Sequence, residues 1–151
     1  MKKALALLLA LVMVFSLAAC GQKAKEDTIK IGYIGDLSGG TALWGNAGKF
    51  GAMEAIEEIN AAGGVLGKKL ELVAMDGKGE AADSVNALRK LITDEHIVAE
   101  IGTNFSSCNI PMAAVADELK VPIIGTAASN ELVTVDENGK LHPLLLPYVL
   151  P

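Results

Sequence analysis

Cysteine, histidine and aromatic residues are scarce in this chain of 151 residues, which has two Cys, two His, three Phe, two Tyr and one Trp. Cys20 closes an apolar leader, which leaves Cys108 alone. One thiol cannot staple a domain, so stability must come from a hydrophobic core. His96 and His142 lie far apart, with no Cys, Asp or Glu at ligand spacing. The sequence therefore offers no metal site and no support for cofactor chemistry. Positive charge is also short, with 13 basic against 18 acidic side chains. Such a balance disfavours nucleic acid and anionic headgroups as partners. After the leader, no apolar run approaches the ~20 residues that a membrane span needs.

What is present begins with the leader. Lys2 and Lys3 precede an apolar stretch at 4–17, and Leu17-Ala18-Ala19-Cys20 follows. A basic start, an apolar middle and small residues before the cut mark a signal peptide. A cysteine at the cut resembles a bacterial lipobox, whose thiol receives diacylglycerol and becomes the new N-terminus. An ordinary signal peptide or a membrane helix is the alternative, but the run is short and no stop-transfer flank follows. The expectation is a lipoprotein, with signal peptide 1–19 and lipidated Cys20. It would be anchored at the extracytoplasmic face of the cell membrane, on the cell surface or in the periplasm. Removing 1–19 leaves 132 residues and, without Lys2 and Lys3, 11 basic against 18 acidic groups, a formal net of −7. That length suits one domain. Residues 20–27, ending GQKAKED, read as a polar tether.

Beyond the tether, two kinds of segment alternate. Residues 29–34, 70–75, 97–101 and 121–124 are short, rich in β-branched side chains and bounded by Gly, Asp or Pro, as buried strands are. Between them lie helical periods. The first puts Ala52, Ile56 and Ile59 on one face, with Glu54, Glu57 and Glu58 on a solvated one, and stops at Gly63-Gly64. The second, about 80–95, turns Ala81, Val85, Leu88 and Ile92 inward and Asp83, Arg89, Lys90 and Asp94 outward. The third follows Asn109 as N-cap, with Pro111 in the first turn and Met112, Val115 and Leu119 inward. The order β-α-β-α-β-α-β predicts an α/β fold with a doubly wound parallel sheet. Residues 143–151 carry three prolines and no period, so the fourth strand is expected at or near an open edge.

Ligands of such sheets bind beyond the carboxyl ends of the strands. Three loops leave those ends rich in Gly, Ala and small hydroxyls: GDLSGGTALWG from Gly35, GTNFSS from Gly102 and GTAASN from Gly125. Backbone N–H groups there can approach a ligand closely. Ser106 reads as a ligand contact at a helix N-terminus suited to a carboxylate, and Ser107 equally as contact or helix cap. Ser129 reads as a contact or a turn residue, and Trp44, in a glycine-flanked loop, as an aromatic wall facing the ligand. Asp76 reads more readily as closing a Gly-Lys-Gly turn than as a ligand contact. Cys108 has no base beside it and reads as an inert thiol. Gly32, Gly35 and Gly39 do not have dinucleotide-binding spacing. No Ser–His–acid, paired-carboxylate or P-loop arrangement emerges, so no enzyme is expected.

The strings IKIGYIGDLSGG, GAMEAIEEINAAGGVLGKKLELV, IGTNFSS and VPIIGTAASNEL resemble the N-terminal lobe of the branched-chain amino acid binding proteins. These are type I solute-binding proteins of ABC importers, and the resemblance spans 28–142. It implies a partial ligand-binding lobe without catalysis, whose partners are a small-molecule amino acid, the importer permease and, through lipid, the membrane. It also implies that Ser106 and Ser129 hold the ligand carboxylate, that the Ala127 backbone grips the α-amino group and that Trp44 covers the side chain. A cysteine usual in the family before the Ser pair is Phe105 here, so the family's disulfide in this lobe cannot form.

The family runs to more than twice this length, and its second lobe comes later than the last residue here. The tail from Pro143 is expected to be aberrant. If Pro143 to Pro151 is encoded as CCN TTA CTT CTC CCG TAT GTG CTT CCN, dropping one base in the first codon gives Pro-Tyr-Phe-Ser-Arg-Met-Cys-Phe, which resembles the family's continuation. Weak or absent ligand binding by one partial lobe is the expectation, and a nonfunctional remnant would share the same ancestry. The alternative from another class is a small flavodoxin-like enzyme or regulator, which would need a phosphate loop or an acidic cluster.

Overall fold

The computed structural model describes residues 28–148. The leader, Cys20, the tether and residues 149–151 lie outside them, and with them the expectations on signal and lipid. Five strands, β1 (Ile29–Gly35), β2 (Leu70–Asp76), β3 (Ala99–Gly102), β4 (Ile123–Thr126) and β5 (Leu145–Tyr148), form one sheet in the order β2-β1-β3-β4-β5. Every neighbouring pair is parallel. The crossovers carry α1 (Ala42–Ala61), α2 (Ala81–Thr93) and α3 (Ser106–Leu119). The doubly wound α/β reading holds.

Alternation along β1 sends its side chains to the two faces. Gly32 and Ile34 look toward Leu91 and Ile97, under α2 and α3, whereas Tyr33 looks toward α1. The α2–α3 face carries the core, where Ile34, Leu88, Leu91, Met112 and Ile123 have no exposed surface. On the opposite face α1 lies over β1 and β2. Tyr33, Ile101, Ile124 and Leu146 make a register-matched apolar row across β1, β3, β4 and β5 on that side. Ile124 is 39% and Leu146 57% exposed.

Several sequence expectations shift. Strands three and four start two residues late. Ile97 N–H donates to the Leu91 carbonyl and Val121 N–H to that of Ala116, so both residues close helices instead of opening strands. His96 and Lys120 before them are left-handed, at φ 59° and 61°. That is the usual way to end a helix with an apolar residue tucked beneath it. The Gly63-Gly64 stop stands, both residues having positive φ and Gly64 N–H reaching the Ile59 carbonyl. Yet α1 buries little: Ile59 is exposed, and Ala52 and Ile56 are only half covered.

The inward face of α2 is Ser84, Ala87, Leu88 and Leu91, rotated from the expected Ala81, Val85, Leu88 and Ile92. Helix α2 meets α3 as well as the sheet, and small residues let the helices approach. Helix α3 starts at Ser106, three residues before the expected cap. Asn109 is instead wholly buried inside it, and Pro111 sits in the second turn. The expectation that residues after 143 fall outside the pattern changes, while β4 is near an open edge, as expected, with one strand beyond it. Leu145–Tyr148 pairs with β4 as β5, and Leu145 enters the core.

Candidate functional site

The loop after β1 is built around Asp36, a buried carboxylate. It accepts the Thr41 hydroxyl, the Thr41 N–H at 2.8 Å and the Gly39 N–H. The Thr41 hydroxyl above all, helped by those two amides, holds its pKa below the ordinary carboxylate value against burial and the nearby Asp76 charge. Asp76, ending β2, takes the Leu37 N–H at 2.9 Å, the Lys78 N–H at 2.8 Å and the Ser38 hydroxyl. Burial pushes its pKa up, but those donors and Lys78 outweigh it, so the net direction is down. Asp76 thus closes its own turn, as expected, and ties the first loop to β2.

Helix α1 can lie close because its first turns are glycine-rich. A Cβ on Gly45 would stand 1.9 Å from the Asp36 carbonyl oxygen, and one on Gly48 2.5 Å from the Tyr33 hydroxyl. The Tyr33 hydroxyl donates to the Gly45 carbonyl at 2.7 Å, locking helix to strand. Trp44 belongs to this first turn of α1 and not, as expected, to a loop.

Beyond β3, Asn109 Nδ2 donates to the carbonyls of Thr103, at 2.6 Å, and Phe105, at 3.2 Å. That buried amide shapes the Gly102–Ser106 bend from inside α3. No side chain caps α3, so Ser107 is not the cap and the helix N-terminus keeps its amide field. The third loop comes alongside: Asn130 N–H donates to Ser106 Oγ at 3.3 Å, joining positions 24 apart in sequence. Ala127 in that loop is left-handed, with φ 57°, an unusual state for a residue bearing a Cβ.

These elements frame a half-open cleft of about 300 Å³ on the α1 side, lined by Tyr33, Trp44, Ile101, Asn104, Thr126 and Ala127. Two of the four residues singled out from sequence, Trp44 and Ala127, line it together. Ser106 and Ser129 do not line it. They lie in the two loops that the Asn130–Ser106 bond brings together, Ser106 half buried and Ser129 exposed. Sequence reasoning missed Asp36 and the tethering roles of Asn109 and Asn130. Asp36 had a signal in the Asp-x-x-Gly spacing just past a strand, where an Asx turn forms. Asn109 had none, since reading it as a cap hid it. Cys108 is a buried, free thiol in the core. Among the described residues, no cluster of three or more His, Cys, Asp or Glu could hold a metal, and no helix is long and apolar enough to cross a membrane.

Residues 28–143 match the periplasmic binding protein family. The leucine-specific-binding protein of Salmonella typhimurium is 34% identical over 77% of this chain and 31% of its own length. Among solved structures, the branched-chain amino acid transporter substrate binding protein LivJ of Streptococcus pneumoniae, in complex with isoleucine, is 34% identical. It aligns with a TM-score of 0.72 over 80% of this chain and 33% of that one. A solute binding protein of an ABC transporter from R. palustris, in complex with 4-hydroxybenzoate, is 29% identical, with a TM-score of 0.69 over 80% of this chain and 31% of its own. The chain thus spans about a third of the length of each relative. It belongs to the periplasmic binding protein family, with branched-chain amino acid binding proteins among its relatives.

Proposed function

We propose that this chain supplies one ligand-binding wall of an ABC importer's substrate-binding protein for branched-chain or related amino acids. It performs no catalysis. Lipid on Cys20 holds it at the outer face of the cell membrane, and the importer permease is its partner. The observation that carries the reading is the Asn130–Ser106 hydrogen bond, which gathers two hydroxyl-bearing loops at the uncapped start of α3. A carboxylate is the charge that such a place favours. Isoleucine and 4-hydroxybenzoate, named with the two solved relatives, both carry one. Ser106 and Ser129 are assigned to the carboxylate, the Ala127 backbone to the ammonium and Trp44 to the side chain. The flavodoxin-like alternative loses support at the first loop, where the buried Asp36 carboxylate occupies the turn that a phosphate would need.

A cleft open on one side buries too little of a small ligand to offset the freedom lost on binding. Calorimetry with leucine, isoleucine or valine at millimolar concentration should therefore show no heat of binding, and micromolar affinity would overturn the weak-wall reading. Amide NMR tests the site itself. Leucine raised well above that concentration should shift the resonances of residues 106, 127 and 129, and leucinamide, which keeps the ammonium but lacks the carboxylate, should leave 106 and 129 unmoved. Equal shifts with both would sink the carboxylate assignment.

A further inference from the structure

Glu100 has no exposed surface, and the cleft does not use it. It pairs in register with Gly32, so its side chain leaves β3 on the α2–α3 face, away from Trp44 and Ala127. Its Oε1 accepts the Ile34 N–H at 3.1 Å, and Oε2 is buried without a partner. Two glycines frame it. A Cβ on Gly32 would stand 3.5 Å from the Glu100 Cγ, and one on Gly102 3.0 Å from Oε1. The strand ends that it joins are those feeding the Asp36 turn and the Gly102–Ser106 bend.

We propose that Glu100 is a proton-dependent clasp, tying the carboxyl ends of β1 and β3 together within a core that accommodates the neutral acid and is destabilised when it ionises. The acid form fits the geometry, with Oε1 accepting from Ile34 and the proton on Oε2. A carboxylate with one accepted hydrogen bond and no counter-ion is costly in an apolar core. Burial accordingly pushes the Glu100 pKa well above 4.5, with the Ile34 N–H pulling weakly the other way. The buried side chains of the two helices on that face carry no charge to offset it. Helix α2 presents Ser84, Ala87, Leu88 and Leu91, and α3 presents Cys108, Asn109, Met112, Ala113, Val115 and Ala116. Tyr33, the charge-coupled neighbour on β1, is itself raised above 10.0, chiefly by burial and then by Glu100. Glu100 is thus a positioning residue of the sheet, whatever the cleft binds.

A pKa raised on folding gives stability that is whole below the unfolded value of 4.5 and lost as pH rises through the folded value. The test compares denaturation of the full chain with that of E100Q and E100L across pH. E100Q keeps the acceptor for Ile34 and cannot ionise. Relative to E100Q, the wild-type folding constant should begin to fall above pH 4.5, by up to about tenfold per pH unit. Amide exchange at Ile34 should stay slow in E100Q and quicken in E100L. Parallel pH profiles for wild type and E100Q would overturn the proposal, as would an Ile34 amide equally protected in E100L. If E100L does not fold, the E100Q profile decides alone.

Discussion

Single residues set the first binding loop, and Asp36 sets most of it. Its folded pKa lies below 3.8, so its contribution is complete above that value and disappears as pH falls through the lowered one. D36N should flatten the acid limb of the stability curve, as read by denaturant midpoints at successive pH values. Its neutral curve should sit lower, because an amide accepts from fewer donors than a carboxylate. Gly45 is equally constrained. The methyl of G45A would overlap the Asp36 carbonyl, so α1 must lift from β1, and a lower melting temperature with loss of the Tyr33–Gly45 bond is the expected result. The small-residue character of these loops was legible in the sequence; Ala127 came only from the family resemblance, and Trp44, expected in a loop, lines the cleft from the first turn of α1. The partners of Asp36 and Asn109 were not. A side chain that bonds its own turn and one that caps a helix carry the same letters, and only the backbone path separates them.

Helices show where periodicity stops being informative. Counting apolar positions placed both ends of α2 to within two residues and gave Leu88 its inward place, but could not foresee that α2 packs on both the sheet and α3. That second contact favours Ser84 and Ala87 over bulkier Val85 and Ile92, which pack only partly buried beside the core. Leu91, wholly buried there, should cost about 2–5 kcal/mol when cut to alanine, measured by urea denaturation. Helix α3 offers the opposite kind of change. Lys120 ends it in a left-handed conformation and is exposed. K120G removes the Cβ clash and should stabilise the chain by about 1 kcal/mol, read in the same assay. Strand β5 escaped notice because Leu145–Tyr148 includes a proline, Pro147, which argues against a central strand and is tolerated on an outer one.

At the scale of the whole molecule, the fold and the site divide the sheet between them. One face holds the continuous core under α2 and α3. The other, past α1, leaves β3, β4 and β5 lightly covered, and the cleft opens beside them. The loops after β3 and β4, proposed above to take a carboxylate, meet at the carboxyl edge, where a parallel sheet places its ligands. Membrane attachment is a separate expectation of the N-terminal sequence. C20A should move the protein from the membrane fraction to the soluble or secreted one, and metabolic labelling with a radioactive fatty acid should vanish. Retention of label in C20A would end the lipid assignment.

Trp44 is the chain's sole tryptophan, 70% exposed on the wall of the cleft. The protein therefore carries its own optical probe where occupancy matters. Excited at the indole band, it should emit as a water-exposed indole, with no second source to blur the signal. Whatever closes over that wall, whether a small solute or another protein surface, withdraws the ring from water and moves the emission to shorter wavelength.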